Sequence, residues 1–153
     1  PLVPVQGEEP RAHLQELDAT LEPAPVYGQV PAFAAGDRGV IDLLAADQRG
    51  RLAVIELKAS EDPHLPLQAR DYWLRVWWHL ERGEFSPNGY FPGVPLRTEP
   101  PRLLLVAPSL EFHPVNETIL RYFHPLIETQ RLGVSMDWRE DFKVAFRMKG
   151  NRT

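Results

Sequence analysis

The chain predicts an α/β fold in which a mixed central sheet is flanked by helices. Three observations lead there. Helix-like and strand-like apolar periodicities follow one another in the order helix, three strands, helix, strand, helix, strands. Two neighbouring strands, 39–47 and 51–59, carry apolar residues on both faces, so the sheet is covered on both sides. A further run, Arg102–Ala107 (RLLLVA), is apolar almost throughout and belongs in the sheet interior. The 153 residues suit a single domain. The expected organisation is a linker at 1–10, one domain at 11–150 and a tail at 151–153.

Taken in order, Pro1–Pro10 is proline-rich and acidic, which gives the linker reading. The chain opens on Pro1 rather than Met, so a piece of a longer protein is expected. Arg11–Leu21 reads as a short helix, with Leu14, Leu17 and Leu21 at helical spacing and Pro23 and Pro25 stopping it. Glu16 and Asp18 read as surface charges. Val26–Phe33 is the first strand, and Pro31 suggests an edge or a bulge.

The next two strands form a hairpin. If Asp47 pairs with Arg51, the loop is Gln48-Arg49-Gly50, with Gly where a left-handed residue is needed. That register sets Asp42 directly opposite Glu56, and alternation puts Lys58 on the same face. Val40, Leu44, Leu52 and Val54 share that face, while Ile41, Leu43, Ala53 and Ile55 take the other. The covered sheet then requires the carboxylates to open into a cleft at its edge. Ser60–Leu67 is a loop, and its His64 reads as a solvated side chain.

Leu67–Arg82 is the longest helix. Its wheel gives a wide apolar face of Leu67, Ala69, Trp73, Leu74, Val76, Trp77, Trp78 and Leu80. Gln68, Tyr72, Arg75 and His79 form a narrow stripe opposite. Gly83–Pro101, with five prolines and three glycines, is a long loop. Its Phe85, Tyr90 and Phe91 could stack on bases, but packing onto the chain's own domain is the preferred reading. Pro114–Phe123 is a helix with Pro in its first turn, and 127–137 and 142–148 are strands.

Composition narrows the function classes. There is no cysteine, which excludes a disulfide framework and cysteine-based zinc sites, and is compatible with the cytoplasm as the expected compartment. The five histidines show no zinc-ligand spacing. No apolar run is long enough for a membrane helix, so no membrane partner is expected. A formal net charge of −4 argues against a broad nucleic-acid surface, although Arg38, Arg49, Arg51, Arg70, Arg75 and Arg82 cluster around the 39–72 stretch.

Chemistry enters through Asp42 and Glu56. Two carboxylates opposed across a sheet repel, and burying either unpaired is costly. A divalent cation removes both penalties. Mg²⁺ takes one or two carboxylates and keeps its other positions for waters or phosphate oxygens. Lys58, on the same face, is placed to orient one such water, which describes metal-assisted phosphodiester hydrolysis. A solvated Glu56–Lys58 pair is the alternative reading, but an Asp bracketed by Val40, Ile41, Leu43 and Leu44 is unfavourable without a purpose.

Asp42, then Glu56-Leu57-Lys58, then Gln68 and Tyr72 four residues apart on a helix resemble the PD-(D/E)XK nuclease superfamily, in its RecB-type branch with a Q-x-x-x-Y motif. The resemblance implies a restriction-endonuclease-like core, αβββαβ, here with an additional C-terminal helix and strands. It implies that Asp42, Glu56 and the Leu57 carbonyl ligate Mg²⁺ or Mn²⁺, and that Asp42, Glu56 and Lys58 are catalytic. It implies that Gln68 and Tyr72 contact substrate phosphate or support the metal site, and that DNA is the partner; Arg75, on the same helix stripe, is a further candidate for phosphate. Ile41 rather than Pro precedes Asp42, and Glu16 is the candidate for a supporting acid on the first helix.

Two further readings stand beside it. One is a non-catalytic nucleic-acid-binding or protein-interaction domain that keeps the fold. A homodimer or partner-domain contact would then run through Trp77, Trp78 and the 83–101 loop. The other is a hydrolase using paired carboxylates as acid and base, which gives Lys58 and Gln68 no role.

Overall fold

The computed structural model describes residues 2–4, 14–29, 40–58, 65–108, 128–134 and 144–149. Their elements are β1 (Leu2–Pro4), β2 (Tyr27–Gln29), β3 (Val40–Ala46), β4 (Leu52–Lys58), α1 (Leu65–Glu81), β5 (Arg102–Pro108), β6 (Thr129–Val134) and β7 (Val144–Lys149). Among the described residues the strands form one seven-stranded sheet in chain order. β4, β5 and β6 run parallel, and the other neighbours are antiparallel. The fold is therefore mixed α/β.

The hairpin has the expected register. Ala46 pairs with Leu52, Leu44 with Val54, and Asp42 with Glu56. The Asp47 amide donates to the Arg51 carbonyl at 2.8 Å, and Gly50 adopts φ 86°. The Asp47 carboxylate closes the turn by accepting from the Arg49 and Arg51 amides, each at 2.9 Å. Gly50 is needed for space as well as for its dihedral. A Cβ there would collide with the Pro95 carbonyl oxygen, and the Gly50 carbonyl itself accepts from the Arg97 amide at 2.9 Å.

Alternation sorts the apolar side chains into two layers. Leu44, Ala46, Leu52, Val54, Leu103 and Leu105 pack under α1 through Ala69, Tyr72, Trp73, Val76 and Leu80. Leu43, Ala45, Ala53, Ile55, Leu104, Val106 and Leu132 pack with Leu14, Leu17, Leu21 and Val26 on the other side. β5, flanked by parallel partners, is apolar on both faces because both layers use it.

Several expectations change. Leu2–Pro4, read as linker, instead pairs with β2 at the sheet edge, where a strand tolerates proline. The first helix is shorter than 11–21 within the described residues: only 14–17 are helical, and Leu21 makes a β-bridge with Asp47. The leucines are buried as expected. α1 starts two residues early, at Leu65, with Pro66 in its first turn. The first long strand is described as 27–29, and Pro31, His64, the 114–123 helix and the tail lie outside the described residues.

The faces of α1 also differ. Tyr72 is 3% exposed and lies in the buried stripe, while Leu74 and Trp78 are 44% and 49% exposed. The buried face is narrower than the wheel predicts: 69, 72, 73, 76 and 80 form one line at helical spacing, and Leu74 and Trp78 fall behind it. The 83–101 loop packs onto its own domain. Phe85 and Phe91 are buried, so they offer no face to a base. Tyr27 pins the loop: its ring meets Phe91 at 4.9 Å and Tyr90 at 5.1 Å, and its hydroxyl accepts from the Phe91 amide at 3.0 Å.

Gly50→Ala is expected to cost about 1–3 kcal/mol, from strain at positive φ and collision with the 95–97 segment. The shift of the urea unfolding midpoint measures it.

Candidate functional site

The face of Asp42 and Glu56 is the one that α1 covers. Glu56 is the next residue but one after Val54, which packs in the α1 layer. It is 1% exposed. Residue 42 is its direct register partner, and opposed pairs hold their Cβ atoms about 5 Å apart. Residue 58, two further along β4, pairs with residue 40. The hairpin thus brings positions 42, 56 and 58 to one face, because the three-residue loop sets an even register. A loop one residue longer or shorter would set Asp42 against the opposite layer.

Position along the sheet differs from the edge cleft that was expected. β4 lies between β3 and β5, so Glu56 sits inside the sheet and not on its border. It lies near the carboxyl end of β4, and α1 begins seven residues after that end. Gln68 falls in the first turn of α1, and Tyr72 one turn on. Tyr72 is buried in the layer that includes Val54 and Leu105. Arg75 is exposed, with its guanidinium 5.7 Å from the Tyr72 ring centroid. Tyr72 and Arg75 therefore do not share a solvated stripe: the tyrosine faces the sheet, and the arginine lies at the helix flank.

The donors that the resemblance names are hard oxygens, the carboxylates of residues 42 and 56 and the Leu57 main-chain carbonyl. Such donors fit Mg²⁺ or Mn²⁺, which accept few protein ligands and complete their shells with water or phosphate. Among the described residues no group of three or more His, Cys, Asp or Glu side chains gathers to hold a metal ion. Glu16 does not join the pair. It is exposed, on the segment whose leucines pack into the opposite layer.

A second polar cluster lies at the other end of the hairpin, and the sequence reading missed it. A cavity of about 370 Å³ there is lined by Asp18, Thr20, Asp47, Arg51, Arg102 and Glu128, among others. Arg102 is buried, pairs with Asp18, lies 3.9 Å from Asp47 and donates to the Thr20 hydroxyl at 3.1 Å. Arg51 pairs with Glu128 at 2.5 Å and donates to the Pro100 carbonyl at 2.9 Å. Here cations and carboxylates neutralise one another, so the cluster ties chain segments together. Asp18, read as a surface charge, is the anchor of the 14–21 segment. The only sequence signal was Arg102 opening an apolar strand, since a buried arginine requires a partner.

The arginines also fail to converge. Arg49 and Arg51 sit at the hairpin turn, while Arg70 and Arg75 lie along α1 and Arg82 directly follows it. Arg38 lies outside the described residues. No family model, curated protein or solved structure matches the chain. No helix among the described residues is long and apolar enough to cross a membrane.

Burial raises the Asp18 carboxyl, but hydrogen bonds from Thr20 and Arg102 outweigh it and hold the group below its ordinary value. A lowered folded pKa contributes stability above the unfolded value and loses it as pH falls through the folded one. Asp18→Asn is therefore expected to be less stable than wild type at neutral pH, with the difference closing below about pH 4. Urea midpoints of both proteins across that range measure it.

Proposed function

We propose that this chain is a divalent-metal-dependent nuclease domain that hydrolyses phosphodiester bonds of DNA on a restriction-endonuclease-like core. The observation that supports it most is the register pairing of Asp42 with Glu56, with Glu56 buried at 1% exposure inside the sheet. Two carboxylates opposed across a ladder would meet an electrostatic penalty that a bound cation relieves. The strand–hairpin–strand–helix order around the pair adds to the reading, because α1 follows β4 and covers the same face.

In this reading Asp42, Glu56 and the Leu57 carbonyl hold Mg²⁺ or Mn²⁺. The ion supplies a nucleophile at neutral pH and stabilises charge developing on the phosphoryl oxygens. Lys58 orients the attacking water from the same face and adds a positive charge beside the phosphate. Water adds across the P–O bond, the attacking oxygen giving up a proton and the leaving oxygen taking one. Gln68, at the start of α1, holds a phosphate oxygen. Tyr72, buried behind it, supports that end of the helix against β4. Arg75, at the flank, meets the phosphate backbone outside the covered layer.

Mn²⁺ is expected to raise the melting temperature of wild type and to leave that of Glu56→Gln unchanged. Labelled DNA should be cut by wild type with Mg²⁺ or Mn²⁺, not with EDTA, and not by Glu56→Gln. Cleavage that survives the substitution would sink the site assignment. A melting temperature insensitive to metal, with no cleavage of single-stranded or duplex DNA, would favour a fold kept without its chemistry.

A further inference from the structure

The outward side of α1 carries a feature that the hydrolytic site does not use. Trp78 is 49% exposed and Leu74, one turn before it, is 44% exposed. The Arg82 guanidinium lies over the Trp78 ring, 3.6 Å from its centroid, and is fixed there by a 3.0 Å bond to the Trp78 carbonyl. That bond uses one of the five N–H donors of the guanidinium. Arg75 lies one turn before Trp78 on α1, and Arg82 is the first residue after the helix. Counting back seven from Arg75 reaches Gln68, so positions 68 and 75 fall on one line of α1.

Charge and area decide what this surface suits. Asp71 lies 3.9 Å from Arg70, and Glu84 is hydrogen-bonded with His79 at 2.8 Å. Among the described residues neither Arg75 nor Arg82 is matched by a carboxylate. Glu81 lies three residues after Trp78 and seven after Leu74, on the side of the ring away from Arg75. A stable protein interface needs roughly 800 Å² per partner. Two half-exposed side chains fall far short of that. A half-exposed planar aromatic with an arginine over one face instead suits a ligand with a π face and an anionic backbone.

We propose that Trp78, Arg82 and Arg75 form a platform for a single DNA strand leading to or from the hydrolytic site, with a base stacked at Trp78 and phosphates on the two arginines. This rests on the nuclease reading for its substrate, but the platform itself is tested without catalysis. The affinity of the full chain for a fluorescein-labelled oligothymidylate is measured by anisotropy in EDTA, beside a duplex of equal length. Trp78→Ala should weaken single-strand binding about tenfold, as expected for loss of one stacked base. Arg82→Ala should also reduce the slope of log K against log salt by about 0.7, one phosphate contact, and Arg82→Lys should restore it. Both side chains are exposed, so an unchanged circular dichroism melt confirms folding.

Wild type that does not bind, or that binds single strand and duplex alike, overturns the proposal. So does binding unaffected by Trp78→Ala. Conversion of a dimer to a monomer by Trp78→Ala, read by light scattering, would make the patch a contact between copies and also overturn it. If Trp78-dependent binding is present while cleavage is absent, the platform stands and the nuclease reading fails. If Glu56-dependent cleavage is present and Trp78→Ala binds normally, only the platform fails.

Discussion

The pairing of β3 with β4 is the constraint on which the rest of the molecule depends. It is set at the turn, where the Asp47 carboxylate gathers the Arg49 and Arg51 amides and Gly50 supplies a left-handed residue. Sheet periodicity carries that choice along the whole hairpin. The same register that buries Leu44 and Val54 in one layer and Leu43 and Ile55 in the other places residues 42 and 56 face to face. Core and candidate site are thus one decision. A slip that separated the carboxylates would also turn both apolar layers inside out, so hydrophobic burial protects the geometry of the site.

The connection from β4 to β5 then does two jobs. As a crossover between parallel strands it needs a helix, and α1 supplies the cover for the layer that holds Glu56. The return along 83–101 is anchored by aromatic contacts to Tyr27 and by Trp73, whose indole donates to the Pro101 carbonyl at 2.6 Å. A proline-rich segment without regular hydrogen bonding is held in this way by rings on both sides. Phe85 and Phe91 are committed to the interior, and among the described residues Trp78 on α1 is the exposed large aromatic.

Charges are divided between the two ends of the hairpin. At the turn end, Arg102, Asp18, Asp47, Arg51 and Glu128 neutralise one another and lock the 14–21 segment and the start of β6 to the sheet. At the other end, residues 42 and 56 are register partners, and Glu56 is buried. Paired opposite charges make a structural knot, and under the proposed function opposed carboxylates would be the place for a cation.

Much was readable from the sequence alone. The hairpin register followed from a three-residue loop with glycine in its last position, the interior place of β5 from an unbroken apolar run, and the α1 span from its periodicity. These signals are local, because neighbouring residues in the chain are also neighbours in the element. What tertiary structure decided depended on partners far apart in sequence. Tyr72 is buried because the sheet meets α1 along the 69–80 line, and a helix wheel cannot say which of two broad faces a sheet will choose. Asp18 and Arg102 meet across 84 positions, so neither showed its role alone. Leu2–Pro4 became an edge strand because β2 had an open side. Residue 42 could be placed opposite residue 56 by counting along the chain, but only packing decided that Glu56 lies in the sheet interior, beneath the helix.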